Sequence, residues 1–285
     1  MRLLLSFFFI LCLSACKNIV IEESAFIRPD SIVPYKSKGK FDDTALNKLL
    51  TNANLRDEVI TISADVELKG LSVQQNAAQV TVLYFGGNRS HIDDAAKTLS
   101  RTVGNCPIHF TMYDYRGYGR TNGTPNVANL KEDALKIYDS VKEKTQGTLV
   151  VHGHSLGSFM TAYIAQHRAV DGIILETTAT NVQDIMRLRT PWYARPFITA
   201  TFAPGLADID NTKALAAYQG KSLVLSAEND QTTPAELGME VFKAIPSINK
   251  QHLLVPAAGH NEVLNSPDVQ RTYCQFIQSF AASTK

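Results

Sequence analysis

Short, nearly continuous apolar runs alternate with amphipathic stretches along most of this chain. Such runs form strands covered by helices on both faces, because neither face meets water. Their repetition predicts an α/β fold with a doubly wound, mostly parallel sheet. Eight strands are predicted, at residues 59–63, 66–73, 80–85, 108–113, 148–152, 172–176, 222–227 and 251–255, the first two being an antiparallel pair. Helices are predicted at residues 92–103, 130–144, 158–167, 234–244 and 268–282.

The length of 285 residues suits one large domain, which we assign to residues 41–285. Residues 177–215 interrupt the alternation and include the only tryptophan, Trp192. We interpret them as a small cap insertion over the strand ends. Ligands of open parallel sheets bind at the carboxyl ends of the strands. The residues that follow each strand are therefore the candidates for function.

The amino terminus is predicted to carry an export signal. Arg2 precedes an apolar run at residues 3–13, which is shorter than the roughly 20 residues of a membrane-spanning helix and is typical of a cleaved signal. The segment LSAC that ends at Cys16 resembles a bacterial lipobox. The resemblance implies a lipoprotein signal peptide at residues 1–15 and an anchor of acyl chains, such as palmitate, on Cys16. An ordinary signal peptide and an uncleaved anchor are the alternatives.

Residues 16–40 are polar and contain turn-forming residues, which predicts a tether between membrane and domain. Lys17 stands where an Asp retains many lipoproteins at the inner membrane. In a Gram-negative host, the resemblance therefore implies the periplasmic face of the outer membrane. Cys106 and Cys274 remain in the domain, and in an oxidising compartment they form either a disulfide or two separate buried thiols.

A nucleophile is indicated by the segment GHSLG at residues 153–157, which follows one predicted strand and precedes a predicted helix. The arrangement strand, GxSxG, helix is the nucleophile elbow. Its sharp turn needs small residues on both sides of the serine, and Gly153 and Gly157 supply them. Ser155 is therefore the predicted nucleophile, whereas the side chain of His154 is expected to point away from the site.

A serine hydroxyl needs a base, and in this kind of fold the acid and the histidine follow the serine in that order. The last two predicted strands are followed by loops that carry Asp230 and His260. We predict His260 as the base and Asp230 as the acid that orients it. Glu176 and Glu228 are the alternative acids.

The oxyanion of the tetrahedral intermediate needs two backbone donors. One is the N–H of the residue after the nucleophile, Leu156, and the other comes from the loop after the strand at residues 80–85. That loop reads GGNRS and is rich in glycine, as a close approach of backbone to substrate requires. We predict the N–H of Asn88 as the second donor.

These motifs together resemble the α/β-hydrolase superfamily, and within it serine hydrolases of the α/β-hydrolase domain-containing type. Residues 114–123, DYRGYGRTNG, match the DYRGYGxSxG loop of that subgroup. Residues 84–88, YFGGN, resemble its oxyanion loop, with Gly86 where the family usually has a histidine. The likeness extends over roughly residues 60–280. It implies the α/β-hydrolase fold, and a mainly structural role for the loop at residues 114–123.

We therefore expect a serine hydrolase that cleaves a carboxylic ester or thioester of a small or lipid-like acyl substrate through an acyl-enzyme. Peptidase or amidase chemistry differs only in the leaving group and stays open. A non-catalytic binding module of the same fold is the rival from another class. No cofactor or metal is implied, since the sequence contains neither an HExxH motif nor a pair of cysteines at the spacing of a metal site. A net charge of +1 argues against a nucleic-acid partner.

Overall fold

The computed structural model describes residues 17–36, 38–76, 78–104 and 106–281. The predicted signal peptide and Cys16 lie outside the described residues. No helix within these ranges is long and apolar enough to span a bilayer. The strands are Lys17–Ile21 (β1), Ala53–Ser63 (β2), Val66–Gln75 (β3), Val80–Phe85 (β4), His109–Tyr113 (β5), Thr148–His154 (β6), Gly172–Glu176 (β7), Ile198–Phe202 (β8), Lys221–Ala227 (β9) and Lys250–Val255 (β10). The helices are Glu23–Phe26 (α1), Asp43–Asn47 (α2), Ile92–Val103 (α3), Val127–Lys144 (α4), Leu156–His167 (α5), Val182–Arg189 (α6), Pro204–Ala207 (α7), Asn211–Ala214 (α8), Ala235–Ala244 (α9) and Pro267–Ala281 (α10).

Eight of the strands form one sheet in the order β10-β9-β7-β6-β4-β5-β3-β2. β3 pairs antiparallel with β2 and with β5, and the other five pairs are parallel. The predicted fold class is confirmed. β2 begins at Ala53 rather than at residue 59, because the consecutive charges of Arg56, Asp57 and Glu58 conceal its alternating burial from a search for apolar runs.

Helices cover both faces of the sheet because alternate residues of the central strands face different cores. In β4, Leu83 and Phe85 pack in the core that contains residues of α4, α5 and α9. Val82 and Tyr84 face the other way, into the core that contains residues of α3 and α10. This burial on both faces is the physical origin of the continuous apolar runs in the sequence.

The insertion at residues 177–215 leaves the sheet after β7 and returns before β9. It contains α6, a 3-10 helix at Arg195–Phe197, β8, α7 and α8. The two ends of this cap are joined at its base, where Asn181 and Asp210 form an antiparallel bridge. The Asn211 side-chain amide donates to the Thr178 hydroxyl and to the Ala179 carbonyl, both at 3.0 Å.

The described residues of the predicted tether, residues 17–36 and 38–40, contact other parts of the chain. β1 pairs in parallel with β8 of the cap, in a two-stranded sheet separate from the central one. Ile27 is buried, and the ring centroid of Phe26 lies 6.2 Å from that of Phe159 in α5. Local sequence patterns do not predict such contacts, because the partners lie far apart along the chain.

Cys106 and Cys274 form a disulfide with a Cα–Cα distance of 5.6 Å. Cys106 follows α3 and Cys274 lies in α10, and both helices pack on the same face of the sheet. Of the two arrangements that the sequence left open, the structure has the covalent one.

Candidate active site

The candidate site lies where the winding of the sheet reverses. β4 has β5 on one side and β6 on the other, so the loops after β4 and β6 leave the sheet in different directions. A crevice forms at such a point, beside the carboxyl ends of the strands. The glycine-rich loop follows β4 and Ser155 follows β6, so both predicted elements lie at this crevice.

Ser155 has the strained backbone of a nucleophile elbow, with φ of 51° and ψ of −112°. Its N–H donates to the Glu176 carbonyl at 2.9 Å, which ties the turn to the end of β7. A Cβ atom on Gly157 would overlap the Phe85 carbonyl, and one on Gly153 would overlap the backbone of Gly157. Both glycines are therefore required by close packing of backbone around the turn.

The structure brings the three predicted catalytic residues together in one hydrogen-bonded chain. His260 Nε2 lies 2.9 Å from Ser155 Oγ, and His260 Nδ1 lies 2.7 Å from Asp230 Oδ2. With a neutral ring, Nδ1–H donates to the carboxylate and Nε2 is left to accept the proton of the serine hydroxyl. This is the geometry that activates a serine for attack on a carbonyl carbon.

Comparisons with known proteins show what this chain resembles. Residues 76–209 match the family model described as serine aminopeptidase, S33. The lysophosphatidylserine lipase ABHD12 of Bos taurus is 24% identical over 222 residues, which cover 69% of this chain and 55% of that protein. The chain thus spans little more than half the length of the ABHD12 lipases that it matches. The chain has the α/β-hydrolase fold.

One further sequence match and one solved structure are also similar to this chain. An uncharacterized membrane protein of Saccharomyces cerevisiae, YNL320W, is 26% identical to this chain over 225 residues, which cover 75% of each of the two. The solved structure of the Pyrococcus furiosus esterase Pf2001 covers 86% of this chain and 96% of its own, with a TM-score of 0.65 and 14% identity. At that identity the likeness shows the fold alone.

The carboxylate of Asp230 is held by more than the histidine. It accepts the backbone N–H groups of Thr232 and Thr233, both at 2.8 Å, and the Thr233 hydroxyl at 3.0 Å. Burial alone would raise the pKa of Asp230, but the bond and charge of His260 together with these N–H donors bring that pKa below its usual value. The protein therefore keeps this carboxylate ionised at neutral pH.

Thr233 is a site residue that the sequence reasoning missed. Its hydroxyl also lies 2.9 Å from the Thr177 carbonyl, so it links the acid loop to the end of β7. The signal was present in the sequence as an aspartate followed by threonines at the second and third positions, a pattern in which the aspartate side chain bonds the following backbone.

The two alternative acids have other partners. The Glu176 carboxylate lies 3.2 Å from Nε2 of the buried His152, on one side of the elbow. The Glu228 carboxylate accepts the Ala257 N–H at 2.8 Å and so supports the loop that carries His260. Among the described residues, Asp230 is the carboxylate that hydrogen-bonds the His260 ring.

His154 lies closer to the site than predicted. Its Nε2 donates to the His260 carbonyl at 3.2 Å, and the two ring centroids are 5.2 Å apart. Burial is the largest cause that lowers the pKa of His154, so its ring is neutral at neutral pH. The expectation that this side chain points away from the site is wrong, because it fills the space between the histidine loop and the glycine-rich loop.

The glycine-rich loop lies directly beside the nucleophile. A Cβ atom placed on Gly87 would be 3.3 Å from Cβ of Ser155 and 2.7 Å from Nδ1 of His154. Within the described part of the chain, the N–H groups of Asn88 and Leu156 donate to no other residue. Both predicted donors are therefore free to receive a ligand at this edge of the sheet.

The side chain of Asn88 holds this loop in place. Its Oδ1 accepts the Arg28 N–H at 3.1 Å and the Tyr118 hydroxyl at 2.8 Å, while its Nδ2 donates to the Phe26 carbonyl. The Tyr115 hydroxyl donates to the Gly86 carbonyl at 2.8 Å. Tyrosines from the loop at residues 114–123 thus order the segment in which a glycine replaces the family's histidine.

The charged residues of the loop at residues 114–123 are engaged in structural contacts. Arg116 forms a bidentate pair with Asp133, with both nitrogen–oxygen distances at 2.7 Å. Arg120 pairs with Asp93 and Asp57. These contacts agree with the structural role that the family resemblance implies. The described residues contain no group of three His, Cys, Asp or Glu side chains placed to hold a metal ion.

Proposed function

We propose that the hydrolase cleaves a carboxylic ester or thioester of a small or lipid-like acyl substrate, with Ser155 as the nucleophile. The observation that carries the proposal is the unbroken chain of hydrogen bonds from Ser155 through His260 to the ionised Asp230. A buried carboxylate, a correctly oriented imidazole and a strained serine at one sheet edge have little structural purpose and a clear chemical one.

Acylation begins with attack of Ser155 Oγ on the carbonyl carbon while His260 Nε2 takes the hydroxyl proton. The carbonyl oxygen becomes an oxyanion, which the N–H groups of Leu156 and Asn88 stabilise. Asp230 stabilises the imidazolium. The tetrahedral intermediate then expels the alcohol or thiol, which receives the proton from His260, and leaves an acyl group on Ser155.

Deacylation repeats these steps with water. His260 takes a proton from the water molecule whose oxygen attacks the acyl carbon, and the same two N–H groups bind the second oxyanion. Collapse of this intermediate breaks the bond to Ser155, whose oxygen regains the proton from His260. The products are a carboxylic acid and the free enzyme, so each turnover consumes one molecule of water.

Labelling with a fluorophosphonate probe tests the nucleophile. We expect wild-type protein to be labelled and to hydrolyse aryl esters, and Ser155→Ala to fold but to lose both. Ser63→Ala, a change of an exposed serine at the end of β2, is the matched control and keeps both. Label retained by Ser155→Ala would place the nucleophile elsewhere, and a wild-type protein without label would favour the non-catalytic module.

The leaving group is tested by a panel of substrates that share one acyl chain. The names of the ABHD12 lipases support an ester of a lysophospholipid type, whereas the description of the matched family model supports an amide. We expect faster turnover of the ester and thioester than of the amide at every chain length. Faster turnover of the amide would replace the esterase proposal with a peptidase.

We further propose that Cys16 is acylated and anchors the hydrolase to a bacterial envelope, at the outer membrane facing the periplasm. The lipobox-like segment supports this proposal, and the disulfide fits an oxidising compartment. Wild-type protein made in bacteria fed an alkyne-tagged palmitate should incorporate the tag, and Cys16→Ser should not. Tag incorporated into Cys16→Ser to the wild-type level would contradict lipidation at this residue.

A further inference from the structure

Large apolar side chains are exposed together on the cap. Trp192, Tyr193, Phe197 and Ile198 are 78%, 63%, 52% and 37% exposed, and we call these four the cap surface. The Trp192 and Tyr193 ring centroids lie 5.9 Å apart. Single exposed apolar residues are ordinary, but a group within seven consecutive residues marks an interaction site.

The cap surface lies at the point where the chain enters the described structure. In the parallel pairing of β1 with β8, Lys17 is the partner of Ile198. The described chain therefore starts beside one end of the cap surface, and the residues before it include the apolar run at residues 3–13 and Cys16. Any attachment of those residues to a membrane brings the cap surface to the same membrane.

The charge around the cap surface suits a lipid interface. Residues 185–207 contain Arg187, Arg189 and Arg195 and no Asp or Glu, and all three arginines are exposed. Asp184 is the carboxylate that pairs with one of them, Arg187. Aromatic rings flanked by arginines are typical of segments at the boundary between headgroups and acyl chains.

We propose that the cap surface inserts into the interface of a lipid bilayer that carries anionic headgroups. The rings of Trp192, Tyr193 and Phe197 lie at the level of the upper acyl chains, and the arginines contact phosphates. The binding does not depend on whether Ser155 hydrolyses a lipid, so it can be tested separately from the proposed function.

Trp192 is the only tryptophan of the chain, so its fluorescence reports on this surface alone. The full chain is mixed with vesicles of phosphatidylcholine and phosphatidylglycerol, with or without bromine on the acyl chains. We expect a blue shift of the emission and quenching by the brominated lipid. Protein that floats with the vesicles while its emission stays unshifted and unquenched would overturn the proposal, because attachment would then rest on the amino terminus alone.

Variants localise the contact. Phe197→Ser and Tyr193→Ser should each reduce the quenching and the vesicle affinity about tenfold, the change expected when one buried aromatic side chain is lost. Ile248→Ser is the matched control, since Ile248 is 93% exposed and precedes β10, at the amino ends of the strands. It should bind as the wild type does. Equal losses in all three variants would overturn the proposal. Circular-dichroism spectra and melting temperatures, measured in parallel, show whether each variant is folded.

Discussion

At Asp230, a short side chain performs two tasks that a longer one would perform less well. One oxygen accepts the N–H groups of Thr232 and Thr233, and the other accepts the bond from His260. The turn therefore holds the carboxylate rigidly while the carboxylate holds the imidazole. An aspartate suits this turn because its side chain reaches the backbone two and three residues ahead.

Replacing this acid should leave the fold intact and remove most of the activity. In Asp230→Asn the amide donates toward Nδ1 of His260, so the proton moves to Nε2 and the ring no longer accepts from Ser155. We expect kcat for an aryl ester to fall by about 10⁴-fold. The control Glu236→Gln changes an exposed carboxyl in the first turn of α9 and should change kcat by less than about threefold. A kcat for Asp230→Asn within tenfold of the wild type would contradict the role of Asp230.

At the scale of elements, the segment between β1 and α2 supports the loop after β4 that carries Asn88. Asp30 contacts Nε2 of the buried His91 at 2.8 Å, and the Tyr35 ring stacks on the same imidazole with centroids 3.4 Å apart. Three residues before His91, Asn88 binds the backbone of Phe26 and Arg28. The loop after β4 is thus positioned by a part of the chain that belongs to no strand of the central sheet.

Removing the Asn88 side chain should loosen this loop without removing the backbone donor. For Asn88→Ala we expect kcat to fall about 10- to 100-fold with little change in KM, because the donor acts on the oxyanion and one such donor contributes about 10²- to 10³-fold. Tyr35→Phe is the control, since it removes a bond to Asp94 from the same segment and leaves the loop untouched. A lower melting temperature with unchanged kcat in Asn88→Ala would reduce its role to stability.

At the scale of the whole molecule, the disulfide joins residues 168 positions apart and closes most of the sheet into one loop. Cross-linking so long a loop restricts the unfolded chain strongly. The bond connects helices on one face of the sheet, so it stabilises the packing of that layer while the catalytic loops lie at the sheet edge.

Removal of this bond should cost stability and leave the chemistry unchanged. We expect the double variant Cys106→Ala/Cys274→Ala to lose about 2–5 kcal/mol of unfolding free energy in urea titrations. Dithiothreitol should lower the urea midpoint of the wild type and have no effect on the double variant. A wild-type midpoint that does not respond to the reductant would contradict the prediction.

The sequence by itself determined the class of fold and the residues of the candidate site. Burial on both faces makes the central strands apolar, and the sharp turn at Ser155 needs glycines on both sides of the serine. Both features can therefore be recognised from short stretches of sequence. Ser155, Asp230 and His260 could be predicted because each lies in the turn or loop that follows a predicted strand. The weakest prediction from pattern was β2, where three consecutive charges hid the alternation.

Only the tertiary structure decided which distant groups meet. The pairing of β1 with β8, the disulfide, the contact of His154 with His260 and the bonds of the Asn88 side chain all join residues at least 30 positions apart. No local periodicity encodes such contacts, because each depends on the space that the rest of the fold leaves. The cap surface belongs to the same class: its aromatic residues are visible in the sequence, but their exposure beside the entering chain is a property of the folded molecule.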